Sequence, residues 1–327
     1  MRTHPIEESP LSQTPELSYP PPSFIDPPTL MRIRSLEMRA KAVVEGFLSG
    51  LHRSPYFGFS VEFSEYRQYV VGDDPRYLDW KLFARSDRYY IKRFEDETNL
   101  RCHLIVDNST SMEYGSLHYN KSDYAKTLAA TLAYFLARQR DAVGLFLFSE
   151  GLDEQIPARF RPGHLRRLLL SLEHAPTGTS TGIASAIGEA AARVRKRGLF
   201  AIVSDFLVPL DDLEKQLGYL RAGRNQICLF QILDPAECDF PFDEATLFVD
   251  AETGQEVYVD PREARESYRQ RFNAHNTALA EMSGRLGLDY VTLTTDTPLE
   301  LALYEFLKLG AQTPSSLAGS RSTGGRR

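Results

Sequence analysis

The sequence predicts a doubly wound α/β domain with a mostly parallel sheet, preceded by a helix and a small β-rich element. Three observations carry that expectation. From about residue 100 onward, short apolar runs alternate with helix-length amphipathic segments. The runs at Leu104-Ile105-Val106, Val143 to Phe148, Leu199 to Val203 and Gln226 to Leu233 are close to continuously apolar, as strands are when helices cover both faces of a sheet. Two of them stop at an aspartate, Asp107 and Asp205, at the carboxyl edge where such sheets collect ligands.

The elements follow in order. Residues 1–28 hold Pro5, Pro10, Pro15, Pro20, Pro21, Pro22, Pro27 and Pro28 among polar side chains and read as a disordered leader. From Leu30 to Leu51 the apolar positions Leu30, Ile33, Leu36, Ala40, Val43, Val44, Phe47 and Leu51 recur at three- and four-residue steps, which predicts one helix stopped by Gly50. Between Tyr56 and Asn99, aromatic and β-branched residues alternate with charges around the turn signal Gly72-Asp73-Asp74-Pro75, giving the β-rich element.

The main domain, residues 100–310, then reads strand 103–106, helix 121–139, strand 143–148, a hairpin, helices near 163–173 and 181–196, and strand 199–203. Helix 211–221, strand 226–233, a hairpin turning at Thr253-Gly254, helix 261–285, strand 290–293 and helix 298–309 complete it. The Ser/Gly-rich stretch 311–327, with Arg321, Arg326 and Arg327, reads as a disordered tail. The organisation is thus 1–28, 29–99, 100–310 and 311–327.

Composition narrows the function. A net charge of −6 and a pI near 5.7 argue against nucleic-acid binding, which needs a basic face. Cys102, Cys228 and Cys238 form no C-x-x-C pair, so neither a disulfide framework nor a zinc site is indicated. No apolar run approaches the roughly 20 residues that span a bilayer, and the N-terminus lacks a signal-peptide apolar region. The expectation is a cytoplasmic protein without a membrane span.

Chemistry concentrates at Asp107-Asn108-Ser109-Thr110-Ser111, where a strand runs into a loop with one carboxylate and two hydroxyls on alternate positions. Oxygen donors of this kind suit Mg²⁺, Mn²⁺ or Ca²⁺. The competing reading is that Ser109 and Ser111 cap backbone amides and Thr179 starts a helix. A second loop, Thr177-Gly178-Thr179-Ser180-Thr181, offers another hydroxyl before a helix. In this order, on this scaffold, the motifs resemble the von Willebrand factor A domain and its metal-ion-dependent adhesion site. The resemblance implies that Ser109, Ser111 and Thr179 are ligands, with Thr181 as the alternative hydroxyl. Asp107 and Asp205 would act through bound water, and one coordination position would stay open for an Asp or Glu of a partner protein.

A second resemblance covers the preceding element. The stretches Glu65-Tyr66-Arg67-Gln68-Tyr69, Gly72-Asp73-Asp74-Pro75-Arg76-Tyr77-Leu78-Asp79-Trp80 and Lys92-Arg93-Phe94-Glu95 are similar to the signature of domain-of-unknown-function family 58. That resemblance implies a von Willebrand A-like domain and association with a MoxR-type AAA+ ATPase of bacteria. Within this block the aromatic and turn residues read first as scaffolding, with a partner-facing surface as the alternative.

The functional expectation is a non-enzymatic, Mg²⁺-dependent adaptor. One alternative is a Mg²⁺-dependent phosphate-processing enzyme using Asp107; another is a structural module whose metal only stabilises the loop. The chain has no Gly-x-x-x-x-Gly-Lys-Ser/Thr, His-Glu-x-x-His or Gly-x-Ser-x-Gly motif, and His103, His118, His164, His174 and His275 show no ligand spacing.

Overall fold

A computed structural model describes residues 24–53, 66–68, 90–92, 100–175, 181–249 and 254–311. The leader up to residue 23, most of the 54–99 element with its Gly72 to Trp80 block, Thr179 with residues 176–180, Thr253 and the tail from residue 312 lie outside the described residues.

Where one helix was expected, the chain forms two, α1 (Pro27–Met31) and α2 (Leu36–Arg53). Each has its own start: Asp26 accepts from the Thr29 amide, and Ser35 accepts from the Met38 amide at 3.3 Å. The second cap turns the chain, so Ile33 lies exposed between the helices rather than on the buried stripe. Gly50 does not stop α2, which continues to Arg53. α1 also begins at Pro27, inside the stretch assigned to the leader, because proline suits the first helical position. Of the β-rich element, β1 (Tyr66–Gln68) and β2 (Tyr90–Lys92) pair antiparallel.

The central sheet contains β3 (Arg101–Asp107), β4 (Ala142–Phe148), β5 (Leu152–Arg159), β6 (Leu199–Ser204), β7 (Gln226–Leu233) and β10 (Asp289–Thr294). Its spatial order is β10-β7-β6-β3-β4-β5, parallel throughout except for the β4–β5 hairpin. The intervening helices are α3 (Lys121–Arg138), α4 (His164–Leu172), α5 (Ile183–Arg193), α6 (Leu210–Ala222), α7 (Pro235–Asp239), α8 (Pro261–Leu286) and α9 (Leu299–Ala311). A separate hairpin pairs β8 (Thr246–Val249) with β9 (Glu256–Val259), and Gly254 takes a positive φ of 68° at its turn.

The pleat sorts the two cores. Leu104 and Val106 face a cluster with α2, α3, α4 and α9, while Ile105 faces one with α5, α6 and α8. Each such buried side chain contributes about 1.5–3 kcal/mol. Alanines at 125, 129 and 133 are fully buried along α3, which lets that helix lie close to the sheet, and an Asn120–Asp123 capping box fixes where it begins.

From β3 the chain crosses to β4 on one side, and from β6 it crosses to β7 on the other. The order therefore reverses between β3 and β6, whose pairing runs from Cys102 opposite Leu199 to Val106 opposite Val203. Continuing that register sets Asp107 beside Ser204 and brings Asp205 to the same rim. Two further features were not expected from the sequence: a 3-10 turn at Thr110–Glu113 and the short α7.

Gly182 precedes α5 under tight constraint. Its amide donates to Ser149 O at 2.6 Å, and a Cβ there would meet Glu150 O at 2.0 Å. Backbone must move to admit any side chain. Gly182→Ala is therefore expected to lower the free energy of unfolding by about 1–3 kcal/mol, read by urea denaturation; an unchanged midpoint would show that this approach can relax freely.

Candidate metal centre

Asp107 ends β3 with its side chain fully buried. Its Oδ1 accepts from the Ser109 amide at 3.0 Å, and its Oδ2 accepts from the Ser204 hydroxyl at 2.6 Å, as the strand register requires. Ser109 opens the 3-10 turn, yet its side chain makes no capping bond to that turn. The Ser109 and Ser111 hydroxyls instead lie 3.0 Å apart and share a hydrogen bond. The amide-capping role weighed for Ser109 is thus not the one adopted.

Asp205, also buried, lies one residue beyond the end of β6. Its Oδ1 accepts from the Leu207 amide at 3.2 Å, and its Oδ2 accepts from Lys121 Nζ at 2.9 Å. Phe206 follows in the left-handed region, with φ of 54°, a conformation that costs about 1–2 kcal/mol for a side-chain-bearing residue. Neighbouring groups hold it there: Gln231 Nε2 donates to Asp205 O at 3.1 Å and His275 Nε2 to Phe206 O at 2.8 Å.

Lys121, in the first turn of α3, is 1% exposed. Its ammonium is shared between Asp205 and Glu237, the latter at 2.7 Å, and Glu237 Oε2 accepts from the Asp234 amide at 2.8 Å. Burial works against the charged lysine, but the two carboxylates outweigh it and raise the ammonium above its ordinary range. Burial also raises Glu237, with Lys121 opposing. Among the described residues, Asp107 has no such cation bonded to it. Burial and then Asp205 push its carboxyl up to about 7, against the hydrogen bonds from Ser109 and Ser204. Among the described residues, the Lys121 ammonium thus neutralises Asp205 and Glu237 but is not bonded to Asp107.

Asp107, Ser109, Ser111 and Asp205 therefore come together, and Thr179 lies outside the described residues. Both ends of its loop are nonetheless pinned beside the site. Asn108 Nδ2 donates to Ala175 O at 3.1 Å, and Gly182 bonds to Ser149, next to the Phe148 that pairs with Asp107. Thr181 is half-buried just ahead of α5. Sequence reading missed Ser204, Lys121 and Glu237. Lining up the strand ends would have found Ser204, whereas a lysine opening an amphipathic helix reads as solvated.

Among the described residues, no three His, Cys, Asp or Glu side chains converge as metal ligands; the oxygens gathered around Ser109 are hydroxyls. Two grooves flank the rim. One of about 590 Å³ is lined by Leu207, Pro209, Tyr268, Arg271, Phe272 and His275, and one of about 360 Å³ by Tyr114, Glu237, Phe240, Phe248 and Tyr268 among others.

The strand order, the reversal between β3 and β6 and the hydroxyl-bearing loop at that reversal define a von Willebrand factor A-like α/β domain. Residues 65–280 match the model of the family described as protein of unknown function DUF58, and the chain belongs to that family. It is 28% identical over 294 residues to the uncharacterized protein Rv1480 of Mycobacterium tuberculosis, covering 87% of this chain and 92% of that one. The same figures hold for the uncharacterized protein Mb1516 of Mycobacterium bovis. Among solved structures, the conserved hypothetical protein BatB from Bacteroides thetaiotaomicron is similar at 15% identity and TM-score 0.45, over 65% of this chain and 99% of that one. The von Willebrand A domain of SpRpn10 is similar at 12% identity and TM-score 0.37, over 66% and 95%. The fold assignment rests on the strand order itself. Among the described residues no helix is long and apolar enough to cross a membrane.

Removing the ammonium leaves buried carboxylates without their counter-charge. Lys121→Met is expected to cost about 3–5 kcal/mol of stability in metal-free buffer, measured by chemical denaturation; a loss below about 1 kcal/mol would mean that water already screens this group.

Proposed function

We propose that this protein is a non-enzymatic cytoplasmic adaptor that binds a partner protein through a divalent cation, Mg²⁺ by preference. The single observation that carries the reading is the Ser109–Ser111 hydroxyl pair, 3.0 Å apart, beside the buried Asp107 at the sheet's reversal point. Adjacent ligands of an octahedral Mg²⁺ with bonds of 2.0–2.1 Å stand about 2.9 Å apart, so the pair already has the edge length such an ion requires. Ser109 and Ser111 would hold it directly, Asp107 and Asp205 through water, and a hydroxyl from Thr179 or Thr181 would complete the protein's share. When bound, the cation supplies a charged, coordinatively open point for an Asp or Glu side chain of the partner.

The chain's own groups support the remaining steps. Asp107 is held by Ser109 and Ser204, so its orientation is set before any ligand arrives. The groove at Leu207, Phe272, Arg271 and His275 opens immediately after the Asp205 loop and provides apolar and cationic surface for residues flanking the partner's acid. The same geometry weighs against Asp107 as a phosphate acceptor, since the carboxylate is fully buried with both oxygens engaged. The family resemblance points to a MoxR-type AAA+ ATPase as the other component. This sequence carries no Gly-x-x-x-x-Gly-Lys-Ser/Thr motif, so on this reading ATP-driven remodelling would belong to that partner.

Calorimetric titration of EDTA-stripped protein with MgCl₂ or MnCl₂ is expected to show one site, weakened about tenfold or more by Ser109→Ala or Asp107→Ala. Absence of binding heat with both ions would remove the metal from the proposal. Capture of an AAA+ ATPase from the source cell should require Mg²⁺ and fail in excess EDTA; capture that EDTA leaves unchanged would separate the adaptor role from the cation.

A further inference from the structure

Lys121 is a charged side chain that neither a helix surface nor a sheet core calls for. Its ammonium is buried, its backbone amide donates to Tyr114 O at 2.9 Å, and the Tyr114 ring lies 5.9 Å from Nζ. The ammonium has two carboxylate partners from different elements. Asp205 belongs to the rim that also holds Asp107, Ser109 and Ser111, while Glu237 belongs to α7 and is fixed by the Asp234 amide. Asp234 itself is occupied by the amides of Ser116 and Ala236. A cation arriving at Ser109 and Ser111 would meet Asp205 with an ammonium already 2.9 Å from its Oδ2.

We propose that Lys121 is an internal competitor for the divalent cation, releasing Asp205 and falling back onto Glu237 when the cation binds. This rests on the metal reading given above and adds to it a residue that sets affinity and reports occupancy. Two like charges cannot both rest on Asp205 without repulsion, so any cation at the rim drives the ammonium towards its second partner. The second partner leads away from the site. Glu237 caps α7, and Phe240 at the end of α7 stacks on Phe248 of the β8–β9 hairpin and packs against Tyr268 of α8. The groove lined by Tyr114, Glu237, Phe240 and Tyr268 would therefore register whether the rim is occupied. Coupling of this kind needs only one side chain with two alternative partners.

The test is Mg²⁺ titration of the full chain, stripped with EDTA, as wild type, Lys121→Gln and Glu237→Gln, by calorimetry and by thermal unfolding with and without MgCl₂. Lys121→Gln is expected to bind Mg²⁺ about tenfold or more tightly than wild type, and Glu237→Gln, which leaves the ammonium wholly on Asp205, several-fold more weakly. Mg²⁺ should also raise the melting temperature of Lys121→Gln more than that of wild type, because ligand binding stabilises the native state by mass action. Changes in opposite directions cannot come from general destabilisation, which would weaken both variants. Equal or weaker Mg²⁺ binding by Lys121→Gln, beside a wild type that binds, overturns the competition and leaves the metal site standing. So does a Lys121→Gln protein that stays unfolded in saturating Mg²⁺. Binding by Lys121→Gln alone upholds the competition and shows that in the native chain the ammonium keeps the metal out. If neither protein binds, both proposals fail.

Discussion

The parallel pairing of β3 with β6 is the constraint on which the rest of the molecule depends. It fixes Val106 opposite Val203, and from there the next residues on each strand can only emerge side by side at one rim. Asp107 meets Ser204 for that reason, and Asp205 arrives one residue later. The same register commits alternate residues of β3 to opposite cores, so a slip of one position would expose Leu104 and Val106 to the wrong helices while moving Asp107 off the rim. Packing and site geometry are consequences of one set of backbone hydrogen bonds.

Bringing carboxylates to a buried rim is unfavourable unless something offsets the lost hydration. Three kinds of compensation operate here. Hydrogen bonds from Ser109 and Ser204 hold Asp107, backbone amides hold Asp205 and Asp234, and the Lys121 ammonium neutralises part of the charge. Backbone strain at Phe206 is the geometric cost of turning the chain immediately after Asp205, and Gln231 and His275 stabilise that turn from two directions. The compensation is uneven among the described residues: Asp205 and Glu237 share the ammonium, and Asp107 is held by the neutral donors Ser109 and Ser204.

The fold was legible because its signals are local. Continuous apolar runs gave β3, β4, β6 and β7, and three- and four-residue periodicity gave the long helices, with bounds close to those observed. The break between α1 and α2 was not legible, since the apolar stripe runs through it and only the Ser35 cap interrupts the helix. At the site, Asp107, Ser109, Ser111 and Asp205 were readable because strand ends and alternate spacing put them there. Lys121 and Glu237 were not, because nothing in a helix-opening lysine or in a glutamate following Asp-Pro-Ala says that the two are buried together. That fact comes from α3 lying close against the sheet on its alanines and from α7, a five-residue helix too short to leave a periodic pattern.

Hydroxyl ligands differ from carboxylates in what they leave behind. A site built from two serines and a threonine would transfer little negative charge to a bound Mg²⁺, which would keep its appetite for one more anionic oxygen. A site closed by several carboxylates would satisfy the ion and present nothing to a partner. The acids of the rim here already have partners: Asp107 is bonded to Ser109 and Ser204, and Asp205 to Lys121 and Leu207. On the proposed reading this division is what makes the centre suited to docking rather than to structure alone. The inner oxygens would stay neutral, the acids would tune the field from behind, and the lysine would set how much of that field a cation could claim.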